Sequence, residues 1–287
     1  MSIMFVQGAI LGLAFGCVFA LIASGLTLVY AVTKHIHASH GVFMVLSMYM
    51  LWLLYNHFGI DPYLSLLIVV PAMFGIGLFL FRFVFRRVLS AETLTVFQYF
   101  IAWIFIIENA LLIGFGADAV TVPSFITLSK LHFGSVIVRV PQLVAVVASL
   151  ALLLALYRVI KATDFGRAIR AIAQDRDTAS LMGINVRRIQ MLVFGIGFAL
   201  LAFAAVMTNP LVSFDPYYGF WLVLFALIIL MLGGMGNFLG SLIAGLIIGI
   251  VYGMSYLLIG STLSAIPTYV IVILILLFRP QGLLGTR

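Results

Sequence analysis

Charge is the scarcest property of this chain. Only 8% of its 287 residues are Asp, Glu, Lys or Arg, against roughly 25% in an average soluble domain. So little polar surface cannot cover a water-soluble fold of this size, which excludes soluble globular, disordered and nucleic-acid-binding classes. Cysteine is nearly absent too: Cys17 is the single one. No intrachain disulfide can form, and inside an apolar run Cys17 reads as a small hydrophobe. There is no G-x-x-x-x-G-K-[ST] stretch, so the chain has no phosphate cradle for ATP. Long polar segments are missing as well. The two longest, 116–139 and 158–188, are too short to bury a core of their own.

What is present is apolar: 65% of the residues. A bilayer core of ~30 Å needs about 20 apolar helical residues. Such runs occur at 5–32, 41–55, 63–83, 93–115, 140–159, 189–207, 218–232, 240–259 and 264–278. They predict an all-α, polytopic transmembrane helical bundle of about eight or nine spans, the second and seventh being the weakest. The whole chain, 1–287, reads as a single membrane domain. Its N-terminus lacks a basic n-region and its first apolar run is too long for a signal peptide, so that run is expected to stay as a span.

Basic residues orient the bundle. With the first span running inward, the inner segments hold Lys34, Arg82, Arg86, Arg87, Arg158, Lys161, Arg167, Arg170, Arg176, Arg187, Arg188, Arg279 and Arg287, while only Lys130 and Arg139 lie outside. This is the positive-inside asymmetry. The N-terminus is expected outside and the C-terminus in the cytoplasm, and the net charge of +7 is an orientation signal that requires no nucleic-acid partner.

The inner stretch 161–188 carries the strongest pattern. Phe165, Ala168, Ile169, Ile172, Ala173 and Ala179 recur at helical spacing on one face, with Arg167, Arg170, Gln174 and Asp177 opposite. Thr163 or Asp164 can cap its start, Asp175 or Asp177 can restart a second short turn, and Gly183 can end it. Two readings fit: an amphipathic helix lying on the bilayer surface, or a helix pair docking into a partner's groove.

This stretch, Asp164-Phe165-Gly166-Arg167-Ala168-Ile169-Arg170-Ala171-Ile172-Ala173-Gln174 with Ala179-Ser180-Leu181-Met182-Gly183-Ile184-Asn185, resembles the coupling segment of branched-chain amino acid ABC transporter permeases. Leu232-Gly233-Gly234-Met235-Gly236-Asn237-Phe238-Leu239-Gly240, the tail Phe278-Arg279-Pro280-Gln281-Gly282-Leu283-Leu284-Gly285 and the early Gly25-Leu26-Thr27-Leu28-Val29-Tyr30 are similar to the same family. The resemblance implies that Asp164, Gly166, Arg167, Arg170, Ala171, Gln174, Ala179, Leu181 and Gly183 couple the chain to a cytoplasmic ATPase. An acidic residue at Ala171 or Ala179 is then expected to uncouple transport from ATP hydrolysis.

Glycine spacing is the next signal. Gly8, Gly12 and Gly16, and again Gly245, Gly249 and Gly253, recur every four residues, which lets helix backbones approach closely in lipid. These rows serve either packing within the bundle or contact with a second permease. The Gly233-Gly234-Met235-Gly236 break is either an inner turn or a non-helical element lining a cavity. His35, His37 and His40 match no zinc spacing, so a metal site is not expected. They read as interfacial histidines or, by the resemblance, as part of a translocation path with Thr27 and Gly41. The family's usual Asn-Phe-Ala-His-Gly is replaced here by His37-Ala38-Ser39-His40-Gly41. Glu108 is the one acid embedded in a span, so it is either paired structurally, with Asn109 for instance, or lines that path.

The resemblance therefore implies the permease subunit of an ATP-driven importer for amino acids or similar small polar solutes, in the bacterial inner membrane. The chain would be no enzyme and bind no cofactor. ATP and Mg would sit in two cytoplasmic ABC ATPase subunits. A second, usually unlike permease, a periplasmic substrate-binding protein and membrane lipid complete the expected partners. The alternative is a carrier driven by an ion gradient, which would want more embedded charge than Glu108 supplies. An intramembrane hydrolase and a passive channel are the remaining rivals, and no matched nucleophile and base favours the former.

Overall fold

The computed structural model describes residues 2–133, 136–260 and 263–285. Each of the nine apolar runs folds as a helix. In order, these are α1 (Ser2–Thr33), α2 (His40–Phe58) and α3 (Pro62–Leu80), which continues through a π turn (Phe81–Phe85) into the short α4 (Arg86–Val88). Then come α5 (Thr93–Phe115), a hairpin of β1 (Lys130–Phe133) and β2 (Val136–Arg139), and α6 (Val140–Ala162). The short α7 (Asp164–Gln174) and α8 (Arg176–Leu181) precede α9 (Val186–Thr208), α10 (Tyr218–Gly233), α11 (Phe238–Ile259) and α12 (Ala265–Phe278). Among the described residues, seven helices are long and apolar enough to cross a membrane.

Span lengths differ from the sequence expectation in an instructive way. The second run reaches 19 residues because His40 joins its front and Asn56 to Phe58 its back, before Gly59 turns the chain at φ 66. By contrast α10 has 16 residues and α12 has 14, or roughly 24 and 21 Å of helix. Gly234, at φ 96, cuts α10 short. A Cβ in that conformation is strained, so the glycine stops the helix where any other residue would resist.

Successive connectors gather at opposite ends of the bundle. At one end the α1–α2 connector meets α7, where the Lys34 ammonium donates to the Ala173 carbonyl at 2.6 Å. The 278–285 tail joins the α10–α11 turn there. At the other end, Asp61 caps α3 through the Tyr63 N–H (2.9 Å) and also accepts from the Ser124 hydroxyl and the Phe125 N–H, both at 2.8 Å. An antiparallel bridge between Val120 and Phe214 ties the two long connectors of that end together. The 116–139 stretch, expected only as a polar connector, thus contains a hairpin with Lys130 opposite Arg139.

α1 and α9 form the centre, and nearly all of α1 from Ala14 to Val32 is buried. The two glycine rows face each other across α1 and α11. A Cβ on Gly12 would lie 2.7 Å from the Ile250 Cα, and one on Gly249 or Gly253 would overlap the backbone of Gly16 or Gly12. In lipid there is no hydrophobic force between helices, so such backbone contact is what holds them. Just beyond the rows, the hydroxyls of Thr27 and Ser241 bond at 2.6 Å, and Thr27 also donates to the Ala23 carbonyl at 2.7 Å.

Candidate functional site

The helix pair α7–α8 is locally encoded. Thr163 caps α7 by accepting from the Gly166 N–H at 3.2 Å. Asp175 caps α8 by accepting from the N–H groups of Asp177 and Thr178, at 2.9 and 3.2 Å. The Thr178 hydroxyl bond, followed by those backbone bonds, holds the Asp175 carboxyl below its ordinary pKa. Gly183, at φ 85, ends the pair.

How the pair attaches is where the structure corrects the sequence reading. The apolar face of α7 is not open to a partner: Ile169 and Ile172 are buried in the chain's own core, as is Ala179 of α8. Gly166 presses onto the last turn of α6, where a Cβ would overlap the Ile160 carbonyl. Arg170 donates to that same carbonyl, and Arg167 pairs with Asp164 on the exposed side. Lys34 fixes the other end of α7 through Ala173, a cation at a helix C-terminus. The pair is therefore clamped at both ends. Its polar side is exposed along much of its length, and its most exposed apolar side chains are at the tip, where Leu181 is 87% exposed and Met182 is 80% exposed. Ala171 is half-buried and Gln174 is exposed. An acid at Ala179 would thus test folding, not docking.

Lys34 and Met182 were absent from the sequence-predicted coupling set. The signal for Met182 was two consecutive apolar residues ahead of a glycine, off the helical stripe. No sequence signal pointed to Lys34, because its partner is a backbone carbonyl 139 positions away.

Two motifs that the sequence shows apart form one unit at this end. Asn237 caps α11 by accepting from the Gly240 N–H at 3.1 Å, and its amide donates to the Leu284 carbonyl at 2.8 Å. The Leu283 N–H donates to the Leu232 carbonyl at 2.7 Å. The glycine break is thus a turn clasped by the tail, and it also lines a cavity of about 610 Å³ shared with α1, α6 and α7.

The predicted path residues are spread over several helix crossings. His37 and His40 come together, rings 5.6 Å apart, in a wholly buried box with Phe43, Phe85, Phe100, Phe194 and Phe198. Burial first, then His40, holds His37 well below its usual pKa. His35 is half-buried, and its pKa is lowered mainly by burial. Gly41 lies in the α2–α10 crossing, where a Cβ would overlap the Gly219 carbonyl. Thr27 belongs to the α1–α11 contact. Glu108 is 8% exposed and faces into the bundle. Its neighbour Asn109 faces outward and donates to the Phe105 carbonyl at 2.7 Å. None of these seven lines the 610 Å³ cavity. Among the described residues, no three His, Cys, Asp or Glu side chains cluster to hold a metal ion.

Fold and site define a polytopic integral membrane protein with a rigid helix pair at its basic end. Comparison with known proteins narrows this further: the chain belongs to the family described as branched-chain amino acid transport system / permease component, whose model matches residues 8–278. It is 30% identical to the high-affinity branched-chain amino acid transport system permease protein LivH of Salmonella typhimurium, over 98% of this chain and 96% of that protein. The Escherichia coli K12 LivH matches equally, at 30% over the same shares. Identity to BraD of Pseudomonas aeruginosa is 28%, again over 98% and 96%. No solved structure matches. The chain is thus a multi-pass membrane transporter subunit, not an enzyme, of a kind that works with other subunits.

Proposed function

We propose that the chain is one permease of an ATP-binding cassette importer that moves branched-chain amino acids or similar small polar solutes inward across the bacterial inner membrane. The observation that carries this is the clamped α7–α8 pair with its bare apolar tip, in a chain of this family. Two ATPase subunits, holding ATP and Mg between them, grip that tip from the cytoplasm. The chain itself binds no cofactor. A second permease, usually unlike this one, completes the pore, and a periplasmic binding protein delivers the solute. The surface that receives it comprises the Val120–Phe214 bridge, the hairpin and the turn before it, where Leu128 is 88% exposed. When ATP closes the ATPase pair, both tips move together. Because α7 is tied to α6 and to the α1–α2 connector, the displacement passes into the buried α1–α9 centre, and the permeases rock between outward-open and inward-open states.

The basic end faces the cytoplasm in this reading. In a Cys17→Ser background expressed without ATPases, Leu128→Cys is expected to react with an impermeant maleimide in intact cells. Leu181→Cys should react only after permeabilisation. The reverse pattern overturns the orientation. The mechanism is tested by reconstituting the assembled complex in liposomes with the binding protein and following labelled leucine. Uptake is expected to require internal-facing ATP and the binding protein together. Uptake by the permeases alone, driven by a proton or sodium gradient, would establish the carrier reading instead.

A further inference from the structure

Among the described residues, the 610 Å³ cavity at the basic end is lined by two cations, Lys34 and Arg170, and by no Asp or Glu. Each cation spends one N–H on a backbone carbonyl, Ala173 and Ile160 respectively. A Lys ammonium has three N–H groups and an Arg guanidinium five, so both keep donors for an anion. Of the two acids that flank Arg170 in sequence, Asp164 is engaged by Arg167 on the exposed side, and Asp175 by the N–H groups of Asp177 and Thr178 and the Thr178 hydroxyl. The rest of the wall is largely apolar, including Leu28, Ala31, Ile160, Met231 and Leu276. At the rim stands Tyr157, with the Lys161 ammonium 5.7 Å over its ring. Tyr and Lys at a helix end mark headgroup depth. Basic pockets between membrane helices suit anionic headgroups.

We propose that this cavity is a binding site for the phosphate of an anionic lipid, with Lys34 and Arg170 as its ligands and the apolar wall taking the start of the acyl chains. A soluble phosphate satisfies the two cations but leaves that wall against water, which is why the lipid is favoured. An occupant there touches α1, α7, the α10–α11 turn and the tail at once, so it stiffens the seat of the helix pair.

The test uses the full chain with its co-purifying subunits in nanodiscs of equal parts phosphatidylcholine and phosphatidylglycerol, with retained lipids counted by native mass spectrometry. Phosphatidylglycerol is expected to be enriched roughly tenfold or more over phosphatidylcholine. The enrichment should fall towards parity in Lys34→Gln, persist in Lys34→Arg and disappear in Leu239→Trp, which fills the cavity from a partly exposed position on its wall. Equal retention of both lipids, or enrichment unchanged in both Lys34→Gln and Leu239→Trp, overturns the site. Inorganic phosphate and glycerol phosphate serve as competitors. Enrichment that survives them assigns the phosphate to the lipid, and full displacement by either overturns the lipid assignment in favour of a soluble anion.

Discussion

Gly249→Leu is expected to leave no folded chain to purify. A single Cβ at this position already overlaps the Cα of Gly16, and a leucine adds three more carbons against the same backbone. The helix it would push away is α1, which the rest of the bundle surrounds. Overpacking a tight core costs about 1–3 kcal/mol, which is the loss expected for Gly249→Ala. Gly249→Leu exceeds it, because the obstacle is main chain that no rotamer change can relieve. In lipid, little else brings two helices together once their backbones are held apart. Gly12→Leu should fail in the same manner, since its Cβ would meet Ile250 and Gly249 backbone atoms. Gly75→Leu and Gly114→Leu are the controls: nothing lies within 4 Å of a Cβ at either position. The check is a monodisperse peak and a thermal midpoint for each detergent-solubilised variant. Wild-type stability of Gly249→Leu would show that the α1–α11 contact does not hold the bundle.

That contact shows what a one-dimensional pattern can carry. Two rows of small residues at four-residue spacing marked close backbone approach but left open whether each packs within the bundle or on a second permease; the structure packs the two rows on each other. The nine apolar runs were legible for a similar reason, as were the caps to within a residue or two, Thr163 or Asp164, Asp175 or Asp177, and Gly183, since all are local chemistry; the structure selects Thr163 and Asp175. Other features depend on which surfaces meet. The apolar stripe of α7 looked like a docking face because its period says only that the face is covered, not by what. Its cover is the chain's own bundle, through Ile169 and Ile172. Lys34 and Arg170 act on backbone carbonyls, which every residue presents, so no motif marks those bonds. The histidines between the first two spans suggested an interface, yet the π turn and the surrounding helices bring five phenylalanine rings around His37. The hairpin at the opposite end was hidden in a stretch whose polarity was read as loop.

Because the α7 stripe is covered from within, the coupling proposed above rests on the tip. Leu181→Asp and Met182→Asp are expected to abolish ATP-driven uptake while leaving the chain folded and membrane-inserted. Both side chains are exposed, at 87% and 80%, in a chain without its partners, so replacing them removes no internal packing. If they fill a partner's groove, each is an apolar anchor at the centre of an interface. Losing such an anchor costs about 2 kcal/mol or more, roughly 30-fold in affinity, and the acid adds an unpaired charge in a desolvated pocket. The double variant should fail to co-purify with the ATPase subunits, and its binding-protein-stimulated ATP hydrolysis should fall to the unstimulated rate. Ile169→Asp is the informative contrast: it strikes the covered face and should remove folded protein altogether. Arg167→Gln should matter far less, because its partner Asp164 lies beside it in full solvent, where an ion pair contributes little. Full uptake by the Leu181→Asp, Met182→Asp double variant would mean that force enters the permease elsewhere, and the clamps at Ile160 and Ala173 would then serve only to hold the helix pair in place.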